Sequence, residues 1–123
     1  MTKGQAIQNF WESFGLPAYD ETTVPDDAPF PYIIYQVHTG SLGDLCIVNT
    51  SLCYRSYSWK EISEKTEEIS RAIAQMNPPS VKIDGGRLYI TKGAPFAQRM
   101  GDSSGDAIRR MLLNVNYEFL TEY

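Results

Sequence analysis

Residues 110–119, RMLLNVNYEF, are the most regular stretch of the chain. Odd-numbered positions are apolar and most even-numbered positions are polar: Met111, Leu113, Val115, Tyr117 and Phe119 alternate with Arg110, Leu112, Asn114, Asn116 and Glu118. Successive side chains of a β-strand point to opposite faces of a sheet. This period of two therefore predicts a long strand that is buried on one face.

A second periodic segment, SYSWKEISEKTEEISRAIAQM at residues 56–76, predicts an amphipathic helix. Ser58 and Glu61 have the spacing of a capping box at its start. Its buried stripe is expected to consist of Ile62, Ile69, Ile73 and Met76. Two acid–base pairs at favourable spacing are expected on the opposite face, and these are Glu61 with Lys65 and Glu67 with Arg71.

The N-terminal residues 2–14 predict another helix, because Thr2 and Gln5 form a plausible capping box. Apolar residues follow at helical spacing, namely Ala6, Ile7, Phe10, Trp11 and Phe14. This large apolar face must be covered by other parts of the fold, and we expect a sheet to cover it.

Between the helices the sequence predicts one loop and two β-prone stretches. Residues 15–31 contain four prolines and a cluster of acids, which is typical of an extended surface loop. Residues 32–39 predict a strand with one fully buried face. Residues 44–57, DLCIVNTSLCYRSY, form either one long strand or, if the chain turns at Asn49-Thr50, a hairpin.

Cys46 and Cys53 lie inside that uncertain stretch and are the two cysteines of the chain. In one extended strand their sulfurs would be ~23 Å apart and on opposite faces. A hairpin would instead bring the two residues across from each other. We expect two reduced, packing cysteines, because nothing else in the sequence indicates an oxidising compartment.

After the second helix, residues 80–93 predict a β-hairpin with Asp84-Gly85-Gly86 as its turn. Residues 92–106, KGAPFAQRMGDSSGD, look too long and irregular for a simple connection, so we expect a functional or mobile loop. Aromatic, Met and Arg side chains are enriched at interfaces. The candidate contact residues of this loop are Phe96, Arg99 and Met100, although Phe96 could instead tuck back onto the sheet.

Together these segments predict a single domain, residues 1–123, of the α+β class with the order α-β-β-α-β-β-β. A mainly antiparallel sheet with two helices packed on one face would bury every apolar stripe. A chain of 123 residues with 42% hydrophobic residues is sufficient for one core.

Charge and residue types disfavour several classes of function. The formal net charge is −4 without a basic stripe, so no specific nucleic acid binding is expected. No apolar run has the length of a membrane span, and the start lacks the pattern of a signal peptide. His38 is the one histidine, and the paired acids Asp26-Asp27 and Asp102-Asp106 lie in turn-rich loops. The sequence therefore predicts no enzyme, no metal or cofactor, no small-molecule substrate and no membrane association.

Three stretches carry a resemblance to a known family: FWESFGLPAYDETTVPDDAPFPYIIYQV, SYSWKEISEKTEEISRAI and FAQRMGDSSGDAIRRMLLNVNYEFLTEY. Together they resemble the tail-terminator (tail-completion) proteins of long-tailed bacteriophages and prophages. The shared pattern is a proline-rich loop leading into PYIIY, a capped helix after a strand, and an aromatic-bearing loop leading into a long final strand. The likeness extends over nearly the whole chain.

The resemblance implies a ring of this protein, with six copies as the expected number, at the head-proximal end of a completed tail tube. Its implied partners are itself, the tail tube protein and a head-completion or connector protein. The implied location is the virion tail, after assembly in the host cytoplasm. Such a ring stops tube growth and provides the surface to which the head docks.

Six copies at −4 each carry a formal charge of −24, and an acidic lumen would let DNA slide through. The candidate lumen or rim acids are Asp26, Asp27, Asp102 and Asp106. Two alternatives are another head-tail connector or neck protein of a phage and a small non-enzymatic binding domain.

Overall fold

The computed structural model describes residues 1–101 and 107–123, which form two helices and a six-stranded sheet. The elements in chain order are α1 (Lys3–Glu12), β1 (Ala18–Asp20), β2 (Tyr32–Tyr35), β3 (Leu45–Arg55), α2 (Lys60–Gln75), β4 (Ser80–Ile83), β5 (Gly86–Met100) and β6 (Ile108–Thr121). The strand order across the sheet is β1-β2-β3-β6-β5-β4. All neighbouring strands are antiparallel except β1 and β2. The predicted α+β class is confirmed, but the element order gains the strand β1.

The strand β6 occupies the centre of the sheet, between β3 and β5. Its alternation of buried and more exposed residues follows the sequence pattern, since all five predicted inward positions, from Met111 to Phe119, are buried. The most regular segment of the sequence is therefore also the centre of the core.

Both helices pack on the face of the sheet to which Tyr117 and Val115 point. From α1, the Trp11 indole Nε1–H donates a 2.8 Å hydrogen bond to the Tyr117 hydroxyl. From α2, Ser70 Oγ accepts a 3.1 Å hydrogen bond from Lys92, the partner of Val115 in the β5–β6 register. The helices bury Ala6, Ile7, Trp11, Ile62, Thr66, Ile69 and Ile73.

The two helix starts differ from each other. The Thr2–Gln5 capping box is present at α1, as predicted. The Ser58–Glu61 box is wrong, because α2 begins at Lys60 with Trp59 in the cap position and no side-chain cap. Ser58 Oγ instead accepts a hydrogen bond from the Lys60 backbone N–H at 3.0 Å.

The predicted ion pairs on α2 are also wrong. Lys65 pairs with Glu68 at 3.2 Å instead of Glu61. Its ammonium group also donates to the Phe14 carbonyl oxygen at 3.1 Å, so the side chain is held towards the end of α1. Glu67 and Arg71 make no ion pair within the described part of the chain.

Strand pairing between α1 and α2 differs from the prediction in two places, because β1 is an additional strand and β2 is shorter than expected. Residues 15–31 are not entirely loop, because the Pro17 carbonyl accepts from the Ile33 N–H at 2.8 Å and starts the short parallel strand β1. The strand β2 ends at Tyr35 and not at residue 39, and Val37 is exposed. No periodicity can develop in the three residues of β1, so sequence patterns do not detect it.

Residues 44–57 form one strand and no hairpin. All eleven residues of β3 pair in continuous register with β6, from Leu45 opposite Glu118 to Arg55 opposite Ile108. Cys46 and Cys53 are therefore seven positions apart on one strand, which places them on opposite faces. That geometry prevents a bond between them.

The predicted β4–β5 hairpin is confirmed, with Gly85 at a φ of +79° in its turn. The predicted loop 92–106 is wrong as far as Met100, because β5 continues to that residue. A shift of register between Lys92 and Ala97 lets the strand absorb its glycine and proline and then pair again with β6. Residues 102–106 lie outside the described part of the chain.

Candidate interface surfaces

The side of the sheet opposite the helices, here called the open face, has no helix packed on it in residues 1–101 and 107–123, and of its β3 residues Cys53 is fully buried. Residues that point to it alternate with the core residues of β3, β5 and β6. The register aligns them in rows across the sheet, such as Ile47 with Asn116 and Thr91, and Ser51 with Leu112 and Gln98. The open face is therefore a broad surface of mixed apolar and amide character.

Several large apolar side chains of the open face are in contact with solvent. Ile47, in the interior of β3, is 73% exposed, and Leu45 is 59% exposed. Leu120 at 41% and Met100 at 37% belong to the same face on β6 and β5. Scattered apolar residues are normal on protein surfaces. Four on one uncovered sheet face mark it as a candidate protein contact.

A second surface, here called the β5 edge, is the part of β5 from Phe96 to Met100 together with the side chains that pack on it. On the side of β5 away from β6, β4 pairs only with Gly86–Tyr89, and no other described strand lies along the rest of that side. Unpaired backbone groups along such an edge can bind another chain.

The centre of the β5 edge is an aromatic ring that contacts two arginines. The Arg99 guanidinium carbon lies 4.7 Å from the centroid of the Trp59 ring, and that of Arg109 lies 5.5 Å from it. Arg109 also donates to the Tyr57 carbonyl oxygen at 2.9 Å. Its Nε atom is buried and finds no hydrogen-bond partner in the described part of the chain. Each cation–π contact is worth about 0.5–2 kcal/mol, depending on how far water is excluded.

Neither arginine has an acidic partner within the described residues. Glu67 lines an open groove of about 230 Å³ together with Ala97, Gln98 and Arg99, and it forms no ion pair with a described residue. Two like charges on one ring repel each other, so a bound carboxylate would be favourable here.

The three interface residues predicted from the sequence do not share one face. Arg99 is exposed on the β5 edge. Phe96 is half-buried against the core, with the Lys92 ammonium nitrogen 5.9 Å from its ring centroid. Met100 is opposite Arg110 and belongs to the open face. The structure therefore separates the predicted cluster into one edge residue, one core-packing residue and one residue of the open face.

The opposite edge of the sheet is acidic. Between Lys3 and Arg55 the chain contains no lysine or arginine but six acids, of which Asp20, Glu21, Asp26 and Asp27 lie within or just after β1. Asp26 and Asp27 are exposed in a turn closed by the Ala28 N–H and the Pro25 carbonyl. Asp102 and Asp106, the other two predicted acids, lie outside the described residues.

Trp59 and Arg109 are contact candidates that sequence reasoning missed. Trp59 falls at a helix start and Arg109 at a strand start, and neither breaks the local pattern. They become neighbours of Arg99 only because β5 continues beyond its predicted end. The one sequence feature that could have indicated this contact surface is that Trp59, Arg99 and Arg109 lie outside the predicted apolar stripes.

Catalytic geometry is not evident in the described part of the molecule. No group of three or more metal-binding side chains occurs there. His38 is exposed and lies outside the strands. Four tyrosines have a raised pKa, with burial as the largest cause in each: Tyr32, Tyr35, Tyr54 and Tyr117. Neither of the helices described is long and apolar enough to cross a bilayer.

Comparisons with known proteins add no family. No protein-family model matches the sequence, and no curated protein matches it significantly.

Proposed function

We propose that this chain is a structural assembly protein that forms a ring, caps a phage or prophage tail tube, stops its elongation and provides a head-docking surface. The sequence resemblance supports this function. The fold adds surfaces of the right kind, since contact residues lie on two different parts of the molecule. A protein that connects a tube to a head needs at least two contact surfaces, one for each partner.

The observation that carries the proposal is the open face. A sheet of six strands is covered by helices on one side only, while Ile47 is 73% and Leu45 59% exposed on the other. Ile47 pairs with Asn116 of β6, whereas β2 pairs with β3 only at Ser51–Cys53, so Ile47 lies on the open face near its border. Burial against another subunit or against the tube would remove this apolar area from water.

Ring formation follows from how such contacts repeat. When two different surfaces of one chain bind each other, the contact repeats from copy to copy and closes if the rotation fits. A closed ring that matches the tube on one side and not on the other ends polymerisation. Six copies at −4 each would give the ring a charge of −24, which would repel DNA from its walls.

The direct test is tube growth in the presence of the protein. The tail tube protein encoded in the same genome is polymerised with and without this chain, and tube lengths are measured by negative-stain electron microscopy. We expect shorter tubes with the chain bound at one end only. Unchanged lengths, with no chain found at tube ends, would refute the proposal.

A matched pair of variants connects this test to the structure. Ile47→Asn removes a large apolar side chain from the open face, whereas Leu42→Asn removes one that is 69% exposed in the segment before β3. Both should leave the melting temperature nearly unchanged, because exposed substitutions cost within about 0.5 kcal/mol. Only Ile47→Asn should weaken capping.

The two alternatives give different results. A connector or neck protein would leave tube length unaltered and would bind the head vertex. A small binding domain would remain monomeric or dimeric and would be stabilised in saturable fashion by one compound in a thermal-shift screen.

A further inference from the structure

The two edges of this sheet carry opposite charge. At one edge, β1 and the turn after it bring together Asp20, Glu21, Asp26 and Asp27. At the other, the β5 edge carries Arg99 and Arg109 on the Trp59 ring. Neither set is neutralised within the described residues, where the ion pairs are Met1 with Asp84 and Lys65 with Glu68.

We propose that the β5 edge of one copy binds the acidic segment 20–27 of a second copy, through Arg99 and Arg109 held on Trp59. This inference rests on the proposed function, because it names the contact through which the ring closes. The two binding surfaces are at opposite edges of one sheet, so each copy can use both at once. Such a contact is head-to-tail and repeats around a ring.

Three observations favour a second copy as the occupant. The acidic segment has the opposite charge of the β5 edge, and complementary charge selects partners at interfaces. On the side away from β6, the β5 edge also has no described strand beside it beyond Tyr89, so its backbone can accept an extended chain. Finally, segment 20–27 begins at the end of the edge strand β1, and Asp26 and Asp27 in it are exposed.

The Trp59 ring holds Arg99 and Arg109 in position to bind the carboxylates of the second copy. Stacking on a half-buried indole restricts both guanidinium groups, so less rotamer entropy is lost when they bind carboxylates. The Arg109 Nε–H is buried and has no hydrogen-bond partner among the described residues. The proposal gives Asp26 and Asp27 a contact role between copies in place of a position on the lumen.

The test is a charge swap followed by sedimentation velocity over a concentration series. Arg99→Glu reverses the β5 edge, and the double variant Asp26→Lys/Asp27→Lys reverses the acidic segment. We expect each protein alone to associate at least about tenfold more weakly than the wild type, since like charges then face each other. An equimolar mixture of the two should regain wild-type association, because every contact in an alternating assembly again joins opposite charges.

Matched controls separate this contact from an effect of net charge. Arg71→Glu on the exposed face of α2 makes the same change of charge as Arg99→Glu, and the double variant Glu64→Lys/Glu122→Lys, at two other exposed acids, makes the same change as the acidic-segment variant. Both are expected to associate like the wild type. Association of the wild type should also weaken when NaCl is raised from about 0.05 M to about 0.5 M.

Three results would overturn the proposal. The first is normal association of Arg99→Glu or of the acidic-segment variant, and the second is a mixture that does not recover. The third is a wild-type protein that stays monomeric up to about 1 mM, a concentration at which only contacts weaker than about 4 kcal/mol escape detection. The proposed function fails separately: copies that associate through this contact and yet leave tube length unchanged would refute capping alone.

Discussion

The hydrogen bond between Trp11 and Tyr117 connects α1 to the central strand and offers a well-defined stability test. Both side chains are fully buried, and the indole N–H donates to the phenol oxygen at 2.8 Å. Tyr117→Phe keeps the ring and removes the acceptor, so the indole N–H remains buried without a partner. An unsatisfied buried donor costs about 1–3 kcal/mol. For a domain of this size we expect the melting temperature to fall by roughly 4–12 °C.

The assay is thermal and urea unfolding followed by circular dichroism, with Tyr57→Phe as the control. Tyr57 is 83% exposed, so loss of its hydroxyl should change the free energy of unfolding by less than about 0.5 kcal/mol. The reasoning also predicts a result in a second background. Once Trp11→Phe has removed the donor, the further change Tyr117→Phe should cost far less than it does in the wild type. An equal cost in both backgrounds would show that the hydrogen bond is not the cause.

Two further predictions concern the same core and one turn. Burial raises the pKa of Tyr117 well above its usual value, so the phenol stays protonated in the folded state. The stability that this group contributes is fully present below about pH 10. Above that pH the tyrosine of the unfolded chain ionises, and the free energy of unfolding declines by up to about 1.4 kcal/mol per pH unit. Tyr117→Phe should therefore flatten the loss of stability between about pH 9 and pH 11, measured as melting temperature against pH, and an unchanged alkaline slope would contradict this. A Cβ at Gly86 would overlap the Leu120 carbonyl oxygen, whereas one at Gly101 would meet no heavy atom of the described residues within 4 Å. Gly86→Ala should cost about 2–3 kcal/mol in urea unfolding and Gly101→Ala well under 1 kcal/mol, and similar values for the two would show that the backbone can yield at Gly86.

Sequence patterns predicted the parts of this fold in which local periodicity and burial agree. The buried face of β6 and the Thr2–Gln5 capping box follow from residues close together in the chain. The same holds for Ile62, Ile69 and Ile73 of the predicted α2 stripe, whereas Met76 lies just after the helix and is only half-buried. Hairpin β4–β5 was predictable as well, because its Asp84-Gly85-Gly86 turn needs glycine at a positive φ. Local chemistry alone determines these features.

Pairing between distant segments was harder to predict. The strand β5 continues through Gly93 and Pro95, both of which favour a loop, because β6 offers a partner after a shift of register. The strand β1 exists because Pro17 and Glu21 bond to the backbone of β2. Residues 44–57 have mixed faces, and only the continuous register with β6 distinguishes one strand from a hairpin.

The same reason limits prediction of the contact surfaces. Phe96, Arg99 and Met100 were grouped because they are close in sequence, but a strand sends neighbouring residues to opposite faces. The pairing of Arg99 with Arg109 on Trp59 joins residues from three elements. No sequence motif marks such a cluster, and it can be recognised only after the register of β5 with β6 is known.

Tail length in a phage or prophage that lacks this gene tests the central hypothesis most directly. Lysates are prepared with the gene intact, deleted and restored in trans, and tails are measured by negative-stain electron microscopy. If the protein ends tube growth, the deletion should give abnormally long tails of broad length distribution without attached heads, and restoration should return the original length. Tails of normal, uniform length in the deletion strain would contradict a capping role.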